Sequence, residues 1–153
     1  MRNEAELNLI IKKSLTWGCK IPDPTFEFSR TIARPFDGFG VLVNISANAP
    51  VYWEAKFSNH FQVFDLSRIE QHQIDNLRAI KALLPNSYCW IIYGVKVGRN
   101  DNRVWIFDDI HRINERRNER KNILKKELEN FPYYPVKNQL IVLTNYILAG
   151  GKS

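Results

Sequence analysis

One seven-residue run constrains this chain more than any other: Val51-Tyr52-Trp53-Glu54-Ala55-Lys56-Phe57. Read as a strand, it sends Val51, Trp53, Ala55 and Phe57 to one face and Tyr52, Glu54 and Lys56 to the other. The first face is dense enough in apolar atoms to be a core face. The second then holds a carboxylate and an ammonium two residues apart, expected at the surface of a sheet. Upstream, Pro35-Phe36-Asp37-Gly38 supplies a second carboxylate where a preceding strand would begin.

The rest of the chain offers a scaffold for that strand. At 153 residues the length suits one domain with a real core, residues 1–153. Residues from about Asn3 to Leu15 read as a helix with Leu7, Ile10, Ile11 and Leu15 on one stripe and Glu6 bordering it. Gly18, Pro22 and Pro24 end it, and Ile21 to Thr25 is a turn-rich connection. Three strands are expected next: Glu27–Ala33, Phe39–Ile45 and Val51–Phe57, the last two joined by a turn across Asn44 to Pro50. A second helix opens at Ser67, with Glu70 completing a capping box. Ile69, Gln73, Leu77, Ile80 and Leu84 form its packed stripe, in which Gln73 is the one polar member.

Tyr88–Val97 is nearly continuous apolar sequence, as expected at the buried centre of a sheet. Gly98 to Asn102 makes a hairpin turn into a strand at Arg103–Phe107. Asp108 or Asp109 then caps a long charged helix from about Ile110 to Phe131. Gln139–Leu148 is expected to be a further helical segment. The resulting class is α/β, a mixed sheet with helices on its faces, with a core over about residues 3–107 and a C-terminal helical extension over about 108–153.

Composition bounds the partners. A formal charge of +6 leans towards polyanions, although many soluble domains are this basic. Cys19 and Cys89 are far apart and form no C-x-x-C, so two reduced thiols packed as small hydrophobes are expected. The first residues, Met1 to Glu6, lack the pattern of an export signal, and no apolar stretch reaches membrane-spanning length. A cytoplasmic protein that does not engage a membrane is the expectation.

Hydrolysis of a phosphodiester needs a nucleophilic water, an in-line path and relief of the charge that builds on the phosphoryl oxygens. A hard divalent cation on oxygen ligands meets these needs, and Mg²⁺ commonly binds through one or two carboxylates while keeping several waters. Asp37 and Glu54, converging from adjacent strands, could form such a metal site, with the backbone carbonyl of Ala55 as a third oxygen. Lys56, beside Glu54, could orient the attacking water or stabilise the transition-state charge. The competing explanation is an exposed ion pair and a turn aspartate.

An aspartate followed within twenty residues by Glu-x-Lys resembles the PD-(D/E)xK nuclease superfamily. The order helix, three strands, helix, strand is also similar to that superfamily's restriction-endonuclease-like core. Within it, Phe64-Asp65-Leu66-Ser67-Arg68-Ile69-Glu70-Gln71-His72-Gln73-Ile74, about ten residues after Glu54-Ala55-Lys56, resembles the RecU Holliday-junction resolvases, as does Lys20-Ile21-Pro22-Asp23-Pro24. The resemblance spans roughly Glu6 to Phe107. It implies a Mg²⁺-dependent endonuclease, with Mn²⁺ as a substitute, in which Asp37, Glu54 and Lys56 are catalytic, Gln73 assists and Glu6 touches the metal's water shell.

Two departures qualify the substrate. The RecU family carries a stalk before its metal-binding aspartate, and only Thr25 to Phe36 is available here. The chain also continues past the nuclease core. A homing endonuclease on the same restriction-type fold would show similar active-site residues with another DNA-binding surface. Cutting both strands of DNA takes two sites, so a homo-oligomer, dimer or tetramer, is expected.

For DNA contacts, Lys96, Arg99 and Arg103 surround the hairpin turn and could enter a groove as a two-stranded ribbon. Arg112, Arg116 and Arg120 recur at spacing four on the charged helix and suit phosphates. Interleaved Glu115, Glu119, Glu127 and Glu129 make a solvated, ion-paired helix the bland alternative. Trp53, Trp90 and Trp105 are expected in the core. His72 is expected on the helix surface or bonded to backbone, and Gln73 could instead satisfy a buried backbone group. A catalytically silent DNA-binding module, or an unrelated α/β domain with a coincidental motif, are the rivals in other classes.

Overall fold

The structure is a computed structural model and describes residues 1–21, 34–43 and 48–143. The amphipathic run lies inside its longest strand, and two layers of helix close on that strand from opposite sides. The first helix, α1 (Glu4–Ser14), starts where Asn3 accepts the Glu6 N–H at 2.9 Å, with acidic residues in its first turn and lysines in its last. Leu7, Ile10 and Ile11 are buried, as the stripe predicts.

The chain then forms β1 (Trp17–Lys20), so Gly18 lies within a strand instead of closing the helix. Four residues are too few for alternation to be legible in sequence. The expected strand at Glu27–Ala33 lies outside the described residues. β2 (Gly38–Val43) and β3 (Asn48–Ser58) follow as predicted, with β3 extending three residues further upstream.

A short strand β4 (Val63–Phe64) leads through a 3₁₀ turn (Leu66–Arg68) into α2 (Gln71–Leu83). The predicted capping box at Ser67 and Glu70 is replaced by two separate caps. Asp65 accepts from the Ser67 N–H at 2.9 Å, and the Gln73 side-chain oxygen accepts from the Glu70 N–H at 2.9 Å. Helix α2 is the crossover that lets β5 (Tyr88–Lys96) run parallel to β3, and β6 (Asn102–Phe107) returns antiparallel.

The long charged helix does not form as one piece. It divides into α3 (Ile110–Asn118), β7 (Ile123–Leu124) and α4 (Lys125–Leu128). At the break Arg120 has φ 56°, and Lys121 N–H donates to Arg116 O at 2.8 Å. The Arg116 guanidinium donates to Asn122 O at 2.8 Å and to both Glu127 oxygens at 2.9 and 3.1 Å. A straight helix would turn Leu124 to the same face as Ile113 and Leu128, whereas the break buries Ile123 and leaves Leu124 exposed. The reversal also lets β7 pair with β4.

The expected helix at Gln139–Leu148 is also corrected over its described part. β8 (Tyr134–Lys137) and β9 (Leu140–Ile141) form a hairpin, and residues 144–148 lie outside the described residues. Asn138 and Gln139 have φ 50° and 60°, the two positive values that a two-residue hairpin turn demands. The C-terminal part is thus not a helical extension alone, because β8 pairs with β6 and carries the sheet outward.

The fold is mixed α/β with a mostly antiparallel seven-stranded sheet, in the order β1-β2-β3-β5-β6-β8-β9, and a separate two-stranded sheet of β4 and β7. One face packs Val51, Trp53, Ala55 and Phe57 against α1. The other packs Ile91, Tyr93 and Val95 against Phe64, Leu66, Ile74 and Leu77. Register puts Glu54 beside Ile91 and Lys56 beside Tyr93, so the charged pair lies beneath this second layer and not on an outer face. Trp53, Trp90 and Trp105 are core residues. Among the described residues no helix is long and apolar enough to cross a membrane.

Gly38 is required by packing, since a Cβ there would collide with the Trp53 ring and with Cys19 O. Neither obstacle is the end of a flexible side chain. Gly38→Ala is expected to cost about 1–3 kcal/mol in urea unfolding, against less than about 0.5 for Gly98→Ala, where the nearest atom is 3.8 Å away. Equal costs at the two glycines would contradict the assigned packing.

Candidate active site

Backbone pairing fixes Asp37 before its side chain is considered. Its N–H donates to Trp53 O at 2.9 Å and its carbonyl accepts from Ile21 N–H at 2.8 Å, so the residue is clamped between β3 and the end of β1. The carboxylate is 0% exposed. Its Oδ2 accepts from Ala55 N–H at 2.9 Å and from Asn8 Nδ2 at 3.1 Å. Its Oδ1 takes no hydrogen bond among the described residues and faces Arg34 Nη2 in an ion pair of 2.5 Å.

Glu54 is also 0% exposed, and Lys56 is 8% exposed. Lys56 Nζ donates to Glu54 Oε1 at 2.6 Å, while Glu54 Oε2 has no hydrogen-bond partner among the described residues. The alternative of an exposed ion pair is excluded by this burial. The N–H and C=O of a strand residue project to the same side. The Ala55 carbonyl consequently points to the side on which its N–H meets Asp37. Burial, and after it the charge of Asp37, push the Glu54 carboxyl up to about 7 against the opposing pull of Lys56 and Arg34.

Glu6 is not brought to this group. It pairs with the Met1 amino group at 3.6 Å and with Arg2 at 3.5 Å. Two residues along a helix is about 200° of rotation, so Glu4 takes the position that Glu6 was expected to hold. Glu4 lies 3.9 Å from Lys56 Nζ and 3.5 Å from Arg68 Nη2. Asn8, one turn further on the same face as Glu4, reaches Asp37 directly. Glu4, Asn8, Lys20, Arg34 and Asp37 line one shallow cleft.

Gln73 is buried, and its side-chain oxygen caps α2, the backbone-satisfying alternative. His72 meets Arg34 O at 2.9 Å and Glu70 at 3.2 Å, a backbone-bonded histidine as expected. It ties α2 to the segment that carries Arg34. Asn8, Glu4 and Arg34 were missed in sequence. Asn8 left one signal, a polar residue embedded in an apolar stripe, whereas Arg34 left none.

Strand directions place the start of β2 and the ends of β3 and β5 at one end of the sheet. Asp37, Lys56 and Lys96 share that end, and the hairpin turn carrying Arg99 projects beyond it. Lys96 and Arg99 are exposed. Arg103 is engaged, donating three hydrogen bonds to Asp101 and lying 4.6 Å from the Tyr133 ring. Arg116 is engaged with Glu127, while Arg112 and Arg120 are exposed.

As a donor set, Asp37, Glu54 and the Ala55 carbonyl are hard oxygens. Glu54 Oε2, buried and without a hydrogen bond among the described residues, and Asp37 Oδ1, which Arg34 holds in an ion pair, would suit a small divalent cation that keeps most of its waters. Among the described residues no group of three or more His, Cys, Asp or Glu converges on one point. Compared with known proteins, the chain matches no family model and no curated protein.

The raised Glu54 has a consequence for stability. Below pH about 4.5 its carboxyl is protonated in both states. As pH rises towards 7 the unfolded chain ionises first, so Glu54 lowers stability progressively, by on the order of 3 kcal/mol once both are ionised. Without divalent cations, Glu54→Gln should gain on wild type between pH 5 and pH 8 in urea unfolding. A difference that does not vary with pH would refute the assignment.

Proposed function

We propose that this protein is a Mg²⁺-dependent DNA endonuclease of PD-(D/E)xK type, built on a restriction-endonuclease-like core, with Mn²⁺ as a substitute. The observation that carries this reading is the fully buried carboxylate pair, Asp37 and Glu54, with Lys56 at 2.6 Å from Glu54 and one oxygen of Glu54 lacking a partner. A fold does not retain buried, incompletely satisfied carboxylates for stability, since their desolvation costs more than such a pair returns.

Asp37, Glu54 and the Ala55 carbonyl would hold the cation. When bound, it would supply Lewis-acid stabilisation of the phosphoryl oxygens and acidify a water. Lys56, held by Glu54, is placed to orient the attacking water and to offset the negative charge of the transition state. Arg34 pairs with Asp37, and a cation taking that oxygen would release its guanidinium to meet a phosphate oxygen. As the water oxygen bonds to phosphorus, the P–O ester bond breaks and the leaving oxygen departs with a proton. Lys96 and Arg99 on the projecting hairpin are suited to the DNA backbone or groove.

For the substrate, the motif resemblance supports a RecU-like Holliday-junction resolvase. The short stretch between Thr25 and Phe36, with little room for a stalk, favours a second reading, a site-specific homing endonuclease. Both require paired active sites, and a homo-oligomer would supply them. Cleavage of a mobile four-way junction against a random duplex library separates the two, because enrichment of one duplex site with the junction intact would overturn the resolvase.

Mg²⁺-dependent nicking of plasmid DNA should fall at least about a hundredfold in Asp37→Asn and in Glu54→Gln, with DNA binding retained. Undiminished cleavage in either would sink the site. In binding titrations, Lys96→Ala and Arg99→Ala should each reduce the slope of log affinity against log salt by about 1. Arg103→Ala should change it less, since Asp101 already occupies that guanidinium.

A further inference from the structure

We infer that Asn8 is a positioning residue for the metal-binding aspartate, locking Asp37 so that Oδ1 is the oxygen presented to the cation. The inference rests on the metal-site reading above and adds to it a residue of α1 outside the Asp/Glu-x-Lys motif. Asn8 is 2% exposed, and both ends of its amide are used. The Trp53 indole N–H donates to Asn8 Oδ1 at 2.8 Å, and Asn8 Nδ2 donates to Asp37 Oδ2 at 3.1 Å.

Chemistry fixes the direction of this chain of bonds. An indole N–H can only donate, so the Asn8 oxygen must face Trp53 and the NH₂ must face Asp37. Oδ2 then receives two donors from different elements, the Asn8 amide of α1 and the Ala55 N–H of β3. Rotation of the carboxylate would break both bonds at once. The remaining oxygen, Oδ1, is the one paired with the Arg34 guanidinium, at 2.5 Å, and a cation binding there would take the place of that charge.

The anchor of Asn8 is itself held. Leu7, its neighbour, packs so closely over the sheet that a Cβ on Gly94 would stand 2.8 Å from Leu7 Cδ2. Trp53, which orients the amide, sits in β3 one residue before Glu54. The two carboxylates are thus set by one strand: Glu54 belongs to it, and Asp37 is steered through Trp53, Asn8 and Ala55. Groups that orient a metal ligand in this way are typically worth about 10–100-fold in metal affinity.

The test measures Mn²⁺ binding to the full chain by isothermal titration calorimetry, with native packing verified by near-ultraviolet circular dichroism. Asn8→Ala should weaken binding at least about tenfold. Trp53→Phe removes the donor that orients the amide but leaves Asn8 able to donate to Asp37, and should lose clearly less than Asn8→Ala. Equal losses in the two variants would reduce Asn8 to a core residue, and wild-type affinity in Asn8→Ala would overturn the inference outright. Should Asn8→Ala fail to fold, Asn8→Ser is measured in its place under the same criteria. Asp37→Asn separates the two levels. Mn²⁺ binding that Asp37→Asn abolishes and Asn8→Ala leaves intact ends this inference alone, whereas no binding by wild type ends the metal-site reading as well.

Discussion

The burial of Glu54 is the constraint on which the site depends. A carboxylate on β3, covered by the layer of α2 and the 3₁₀ turn and set near a second buried carboxylate, is electrostatically unfavourable when ionised. The fold tolerates it through Lys56 at 2.6 Å and, on the neighbouring aspartate, through Arg34, Asn8 and the Ala55 N–H. These partners come from three parts of the chain: Lys56 and Ala55 from β3, Arg34 from the segment before β2, and Asn8 from α1. The acidic pair therefore demands that α1, β2 and β3 all be in place before it is stable.

Both helical layers contribute to this closure. From one side α1 brings Asn8 to Asp37 and Glu4 to Lys56. From the other, Arg68 of the 3₁₀ turn donates to Phe57 O at 3.0 Å and approaches Glu4, while His72 of α2 holds the Arg34 carbonyl. The site sits at the end of the sheet where the two layers meet around the β3 terminus. The hairpin with exposed Lys96 and Arg99 projects at that end.

Some of this arrangement was legible residue by residue. Period-two alternation identified β3 and put Glu54 and Lys56 on a common face, and the Pro-x-Asp-Gly sequence marked Asp37 as the entry to the next strand. What alternation could not supply was the other layer: the face read as outer is buried because α2 crosses over it. Glu6 borders an apolar stripe, yet Glu4 and Asn8 face the site. A stripe only a hundred degrees or so wide leaves the rotational setting of its borders undetermined. The charged segment from Ile110 to Phe131 read as one helix because its Arg and Glu rows fit spacing four, while Arg116 in fact bonds Glu127 eleven residues away.

By itself the sequence determined which segments pair with apolar surface, where the acidic and basic groups of the central strand stand, and that two carboxylates could converge. Those are local properties, set by side-chain periodicity and by turn residues. Tertiary structure alone decided that the pair is buried, that Asn8, Arg34 and Glu4 complete its surroundings, and that the C-terminal segment adds strands to the sheet. These depend on contacts between residues far apart in the chain, such as Asn8 with Trp53 and Val104 with Tyr134. Their energies come from desolvation and packing of surfaces that no single segment carries.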